Sequence, residues 1–163
     1  MIRTLGGMVG AAKRADELVG AYEKNIERNT AQAASRSRRP KVYFEEWDNP
    51  QISGIQCVSE LITIAGGDDI FPELAVCPDG KSRIIGDPNE VIRRAPDIII
   101  GSWCGKKFRP EKVAARQGWD VIPAVQNGDI YEIKSAEILQ PGPAALTEGL
   151  EQLQEIIANW AHG

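Results

Sequence analysis

The chain has 163 residues and a net charge of −4, with 42% hydrophobic and 26% charged residues. That is about one domain's worth of ordinary globular sequence, long enough to bury a core without metal or disulfide staples. It excludes collagen-like and disordered chains, and a membrane-spanning helix too, because no stretch approaches the roughly 20 apolar residues that one needs.

From about Met8 to Arg39 the pattern is helical. Val9, Ala12, Ala15, Val19, Tyr22 and Ile26 recur at three- and four-residue steps and form one apolar stripe, and Pro40 is the expected stop. Some 30 residues at ~1.5 Å each give a helix of roughly 45 Å, longer than the lobe that follows it. The stretch 8–39 therefore reads as one long helix that reaches beyond its own lobe, the connecting helix of the resemblance given below, and 40–163 as an α/β lobe. Residues 1–40 hold eight bases and four acids, and the rest of the chain holds 11 bases and 19 acids. With only Tyr22 available for base stacking, the basic end reads as a solvated helix face, not a nucleic-acid arm.

After Pro40 the chain alternates. Lys41–Glu46 reads as a strand, and Gly54–Ala65 as a helix closed by Gly66-Gly67. Residues 68–86 look irregular. Asp87 is a good N-cap, with Pro88 at the first helical position and Glu90 at the third, so a capped helix is expected to run to about Arg94. Asp97–Ile100 has the continuous apolar character of a strand buried on both faces. Pro110–Arg116 reads as a helix, Trp119–Pro123 and Ile130–Ile133 as strands, and Pro143–Trp160 as an amphipathic helix. Strands alternating with helices predict a three-layer α/β lobe with a mostly parallel central sheet.

In such a sheet, ligands sit beyond the carboxyl ends of the strands. Two ends carry unusual residues: Glu45-Glu46-Trp47-Asp48 and Ser102-Trp103-Cys104-Gly105-Lys106-Lys107-Phe108-Arg109. A tryptophan in each suits a flat or apolar ligand, and Lys106, Lys107 and Arg109 could hold a carboxylate or phosphate. Glu45 and Glu46, as strand neighbours, face opposite sides, so at most one points into any one site. Gly101 to Lys106 misses the phosphate-loop spacing, and no G-x-G-x-x-G follows a strand. Cys57, Cys77 and Cys104 are widely spaced and the one histidine, His162, is on the tail, so neither a zinc site nor a cysteine nucleophile is supported.

Taken in order, Lys41-Val-Tyr-Phe-Glu-Glu-Trp47, Ser59–Phe71, Asn89–Ile100 and Gln140–Leu146 resemble the carboxyl-terminal half of the substrate-binding proteins of iron–siderophore, haem and cobalamin ABC importers, with the cobalamin-binding members nearest. The likeness runs from about residue 8 to 160. It implies two α/β lobes joined by a long rigid helix, with ligand in the cleft between them and no catalysis or resident cofactor. Glu46, Trp47, Trp103, Cys104 and Lys106 would line the ligand side, and Glu90 would dock on arginines of the membrane permease. Pro78–Arg83 stands where cobalamin binders can carry an aromatic. The implied amino-terminal lobe lies outside this chain, so the expectation is a truncated or separately encoded half, completed by that lobe or by self-association through the long helix. A periplasmic or extracytoplasmic location is implied, although Thr4–Ala12 is a poor signal segment. The competing expectations are a small flavodoxin-like enzyme using Glu46, Cys104 or Lys106, and a cytoplasmic domain sensing corrinoids or metal chelates.

Overall fold

The computed structural model describes residues 1–140 and 142–162, apart from the side chain of His162. Pro141, within the Gln140–Leu146 series, the His162 side chain, and Gly163, the last residue of the expected lobe, lie outside the described residues.

The amino-terminal helical pattern is divided. A short helix α1 (Ile2–Met8) precedes a 23-residue helix α2 (Ala12–Ala34). Gly10 between them has φ +72°, a left-handed conformation that L side chains rarely adopt and that breaks the helical path. Arg3 in α1 reaches Asp16 and Glu23 of α2 at 3.1 and 3.3 Å, so the first helix lies back on the second. At about 1.5 Å per residue α2 is roughly 35 Å long, ten ångströms short of the sequence expectation. Its inward stripe is Ala15, Val19, Tyr22, Ile26, Asn29 and Ala33, while Val9 and Ala12 are exposed.

The helix also ends six residues before Pro40, and tertiary contacts are the reason. Arg36 donates to the carbonyl of Ala65 at 2.5 Å, and Arg39 to the carbonyl of Gly67 at 2.6 Å and to Asp68 at 2.7 Å. These carbonyls close helix α3 (Gln56–Ala65), so cations satisfy groups that a helix end leaves unpaired and sit at the negative end of its dipole. Arg38 lies over the Trp160 ring at 4.8 Å. Three of the eight bases of residues 1–40 thus make contacts across the fold, although Arg38 and Arg39 stay exposed.

The sheet has five strands: β1 (Lys41–Asp48), β2 (Gln51–Ser53), β3 (Asp68–Asp69), β4 (Ile98–Gly101) and β5 (Ile130–Glu132). β1 is central. On one edge it pairs in parallel with β4, which pairs in parallel with β5. On its other edge it meets β3 in parallel near its start and β2 as an antiparallel hairpin at its end. The mostly parallel expectation holds, with β2 as the exception.

Alternate residues of β1 and β4 feed two cores. Val42, Phe44, Ile98 and Ile100 face Val58, Leu61 and Ile62 of α3 and Leu150, Leu153 and Ile157 of α9 (Leu150–His162). Tyr43 and Ile99 face Phe71, Phe108, Val113, Trp119 and Ile122 on the opposite side. Helices on both faces make the three layers. A π-helical stretch, Ala145–Gly149, leads into α9.

The strand expected at Trp119–Pro123 is instead a 3₁₀ turn, Trp119–Val121, followed by a short helix from Pro123 to Asn127. Trp119 and Ile122 are buried while Val121 is 58% exposed. Burial at a three-residue step is helical spacing; a strand would have buried residues two apart. Four-residue helices at Pro72–Ala75 and Ser135–Ile138 punctuate segments without a readable period.

Candidate functional site

The carboxyl end of β1 is built around a buried charge. Glu45 is fully buried, and Arg116 reaches its two oxygens at 2.6 and 2.9 Å. Tyr43 Oη, Trp103 Nε1 and Gln51 Nε2 also donate to this carboxylate, at 3.0, 3.1 and 3.5 Å. A carboxylate in a low-dielectric core is tolerated only with such a full set of partners. Burial pushes the Tyr43 phenol well above its ordinary value, and Glu45 adds to the push. Burial is the strongest single influence on the Arg116 cation and works against it, yet the hydrogen bonds to Glu45 and the attraction of its charge together outweigh burial and raise the pKa of the guanidinium.

Glu46 faces the other way, as strand alternation requires. It pairs with the buried Arg83 at 2.6 and 3.1 Å, which ties β1 to the loop ahead of helix α5 (Asn89–Arg94). Glu46 is therefore an anchoring acid.

Trp47, Trp103 and Lys106 come together. The Lys106 ammonium lies 5.5 Å from the Trp47 ring and 5.0 Å from the Trp103 ring, a cation–π arrangement, and 2.5 Å from Asp48 Oδ2. Trp103 is only 6% exposed, packed edge-to-face on Phe108, so it forms the floor of this patch while Trp47 and Lys106 form its surface. Cys104 is exposed on the same loop. Gly101, where β4 enters the loop, lets Phe108 pack against the backbone: a Cβ there would lie 1.9 Å from the ring.

Beside the patch is an open recess of about 890 Å³, walled by the β1–β2 turn, by residues 84–89 and by residues 116–119. Asp48 belongs to both features, since one oxygen holds Lys106 while the residue lines the recess. Gln51, Arg116 and Asn89 also line it. Glu90 is the next residue of α5. Its carboxylate is held by Arg93 at 2.5 Å and by Arg94 at 3.3 Å, and these hydrogen bonds lower its pKa, Arg93's most strongly. The expected capping box does not form: Asp87 accepts from the Asn89 backbone at 3.0 Å, and Glu90 turns to the arginines instead.

Sequence reading missed Glu45, Gln51, Arg83 and Arg116 as site residues. The Glu45-Glu46 doublet held the signal. One of two adjacent strand carboxylates had to face a helical layer and find a cation there.

The family model for periplasmic binding proteins matches residues 1–137. This chain belongs to the periplasmic binding protein family. Among its relatives, the ABC transporter substrate-binding lipoprotein YvrC of Bacillus subtilis is 24% identical over 161 residues, which is 96% of this chain and 48% of that protein. Several solved periplasmic binding proteins share the fold. A possible iron-binding solute-binding protein from Staphylococcus epidermidis superposes with TM-score 0.79 at 22% identity, over 96% of this chain and 59% of its own. IsdE of S. aureus, solved with haem, gives 0.77 at 20% over 96% and 62%, and the haem-binding protein RhuT of Roseiflexus gives 0.79 at 20% over 98% and 61%. The chain thus spans about half the length of its curated relative and about three fifths of these solved proteins. Among its described residues, no helix is long and apolar enough to cross a membrane.

Proposed function

We propose that this chain is the carboxyl-terminal solute-binding lobe of an ABC importer receptor for a metal chelate: haem, a ferric siderophore or cobalamin. The observation that carries the reading is the aromatic and lysine patch of Trp47, Trp103 and Lys106 adjoining an open recess at the strand carboxyl ends, in a member of this family. The recess is large enough for a good part of a macrocyclic or chelate ligand. Relatives named for haem or iron binding support the ligand class, and these names do not favour cobalamin over the others. The receptor works outside the cytoplasm and transports without catalysis. Glu90 docks on permease arginines by exchanging its contacts to Arg93 and Arg94. A second lobe covers the other side of the ligand, or a second copy does so through the long helix.

Absorbance titrations with haem, cyanocobalamin and a ferric hydroxamate test the ligand class, with tryptophan fluorescence as a second readout. At least one probe is expected to shift saturably at one equivalent, and Trp47→Ala is expected to weaken that probe several-fold without lowering the melting temperature. No saturable change with any of the three overturns the reading.

A further inference from the structure

The aromatic patch already holds a guest, and the guest is part of the chain. The Lys106 ammonium lies 5.5 Å from the Trp47 ring, 5.0 Å from the Trp103 ring and 2.5 Å from Asp48 Oδ2. Two aromatic faces and a carboxylate are the parts of an ammonium cage: the rings attract a cation and the carboxylate neutralises it. Other contacts fix the walls. Trp47 Nε1 donates to the Asn49 carbonyl at 3.0 Å, Trp103 Nε1 donates to buried Glu45 at 3.1 Å, and Trp103 packs edge-to-face on Phe108. The guest is the loosest part. The Lys106 side chain is 46% exposed, against 18% for Asp48. An ion pair this open to solvent holds weakly, so the ammonium can leave for water while the walls stay in place. Because a half-exposed lysine meets Oδ2 from the solvent side, another cation can reach the same atom. Asp48 also lines the recess, which puts the cage at its edge.

We propose that Trp47, Trp103 and Asp48 form a cage for an ammonium group, filled by Lys106 in the free protein, and that the chelates taken by the adjoining recess carry an exposed ammonium that displaces it. The exchange swaps one cation for another. A neutral group in the cage would leave Asp48 without its counter-charge and both rings without a cation. Lys107 and Arg109 share the loop, but among the described residues Lys106 is the only cation over these two rings, and Arg109 faces Glu111 at 3.7 Å. The ligand class rests on the metal-chelate reading above; the cage does not.

The cage is tested first without a chelate, on the full chain. Lys106→Ala removes the tethered guest, and tetramethylammonium at constant ionic strength should then change tryptophan fluorescence saturably in the millimolar range. Neopentyl alcohol, of similar shape but uncharged, should not. Wild-type protein should respond at least about fivefold more weakly, because its own lysine competes at a high effective concentration. Adding Asp48→Asn to Lys106→Ala should weaken the response about two- to fivefold, the scale of an exposed ion pair, while Glu155→Gln, the same charge change on α9, should not. Calorimetry then compares ferrioxamine B, a ferric hydroxamate with a free ammonium, with its N-acetyl derivative. The ammonium form should bind wild-type protein at least about fivefold tighter, bind Lys106→Ala tighter still, and lose its advantage in Asp48→Asn. No response of Lys106→Ala to tetramethylammonium, or an equal response to the alcohol, overturns the cage and leaves the chelate reading standing. Equal affinity for the two ferrioxamines, or binding of haem or cyanocobalamin alone, overturns the ligand class. If no chelate binds, the chelate reading falls and the ligand class with it, and the ammonium titration alone decides the cage.

Discussion

Removing Arg116 probes the most heavily buried charge in the protein. Glu45 has no solvent exposure, and its only cationic partner among the described residues is a bidentate guanidinium at 2.6 and 2.9 Å. In Arg116→Met the methionine keeps much of the packing against Trp119, over which the guanidinium now lies at 4.5 Å, but the carboxylate is left in the core without a cation. Breaking a buried pair from one side costs about 3–5 kcal/mol. Two features pull the expectation to the lower end. Tyr43 and Trp103 still donate to Glu45, and the 21% exposure of the Arg116 side chain marks a route for water. About 3 kcal/mol is expected, which for a chain of this length lowers the melting temperature by about 6–12 °C. The double variant Glu45→Gln/Arg116→Met removes the charge along with its partner and should recover more than half of that loss. Urea denaturation measures both, with the midpoint falling and the slope unchanged. A single-variant loss below about 1 kcal/mol, or a double variant as unstable as the sum of its singles, refutes the reasoning that the pair exists to neutralise a buried charge.

Gly101→Ala should destabilise by about 1–3 kcal/mol, measured by the same denaturation, because its Cβ would enter the Phe108 ring and push Trp103 off the floor of the patch. At acid pH the corner around α5 should open first. Hydrogen bonds from Arg93 hold the carboxyls of Asp87 and Glu90 below their ordinary values, and those from Arg94 do the same for Glu73. A depressed carboxyl contributes stability above its unfolded value and loses it as pH falls through the folded one. Amide protection factors at residues 89–94 should therefore fall below about pH 4, and less steeply in 1 M salt, where the exposed pairs are already screened. Unchanged protection of α5 between pH 6 and 3 would count against the network.

The layers of the fold were legible wherever periodicity was pure. Ile98-Ile99-Ile100 could only be an inner strand, and α3 carries both its apolar stripe and its closing glycine. Trp119–Pro123 misled because its apolar residues admit either a two- or a three-residue step, and only contact with Tyr43 and Ile99 selects the latter. The aromatic and lysine patch was foreseeable from the two strand ends. The Glu45–Arg116 pair was not, because it joins residues 71 apart and neither stands in a motif. Likewise nothing local marks Arg36 and Arg39 as partners of a helix end 29 and 28 residues away. Long-range charge pairing leaves no period in a sequence.

Those two arginines have a mechanical consequence. They bolt the tail of α2 to the end of α3, and Arg38 adds a clasp on Trp160. The long helix is thereby welded to its lobe at one end, where it can transmit torque but cannot swivel. At the opposite end α1 folds back across the Val9–Ala11 break, packs its buried Gly6 on Ala15 of α2, and adds exposed ion pairs from Arg3. α1 and α2 thus move as one packed unit, a shaft whose near end is doubled and whose far end is clamped.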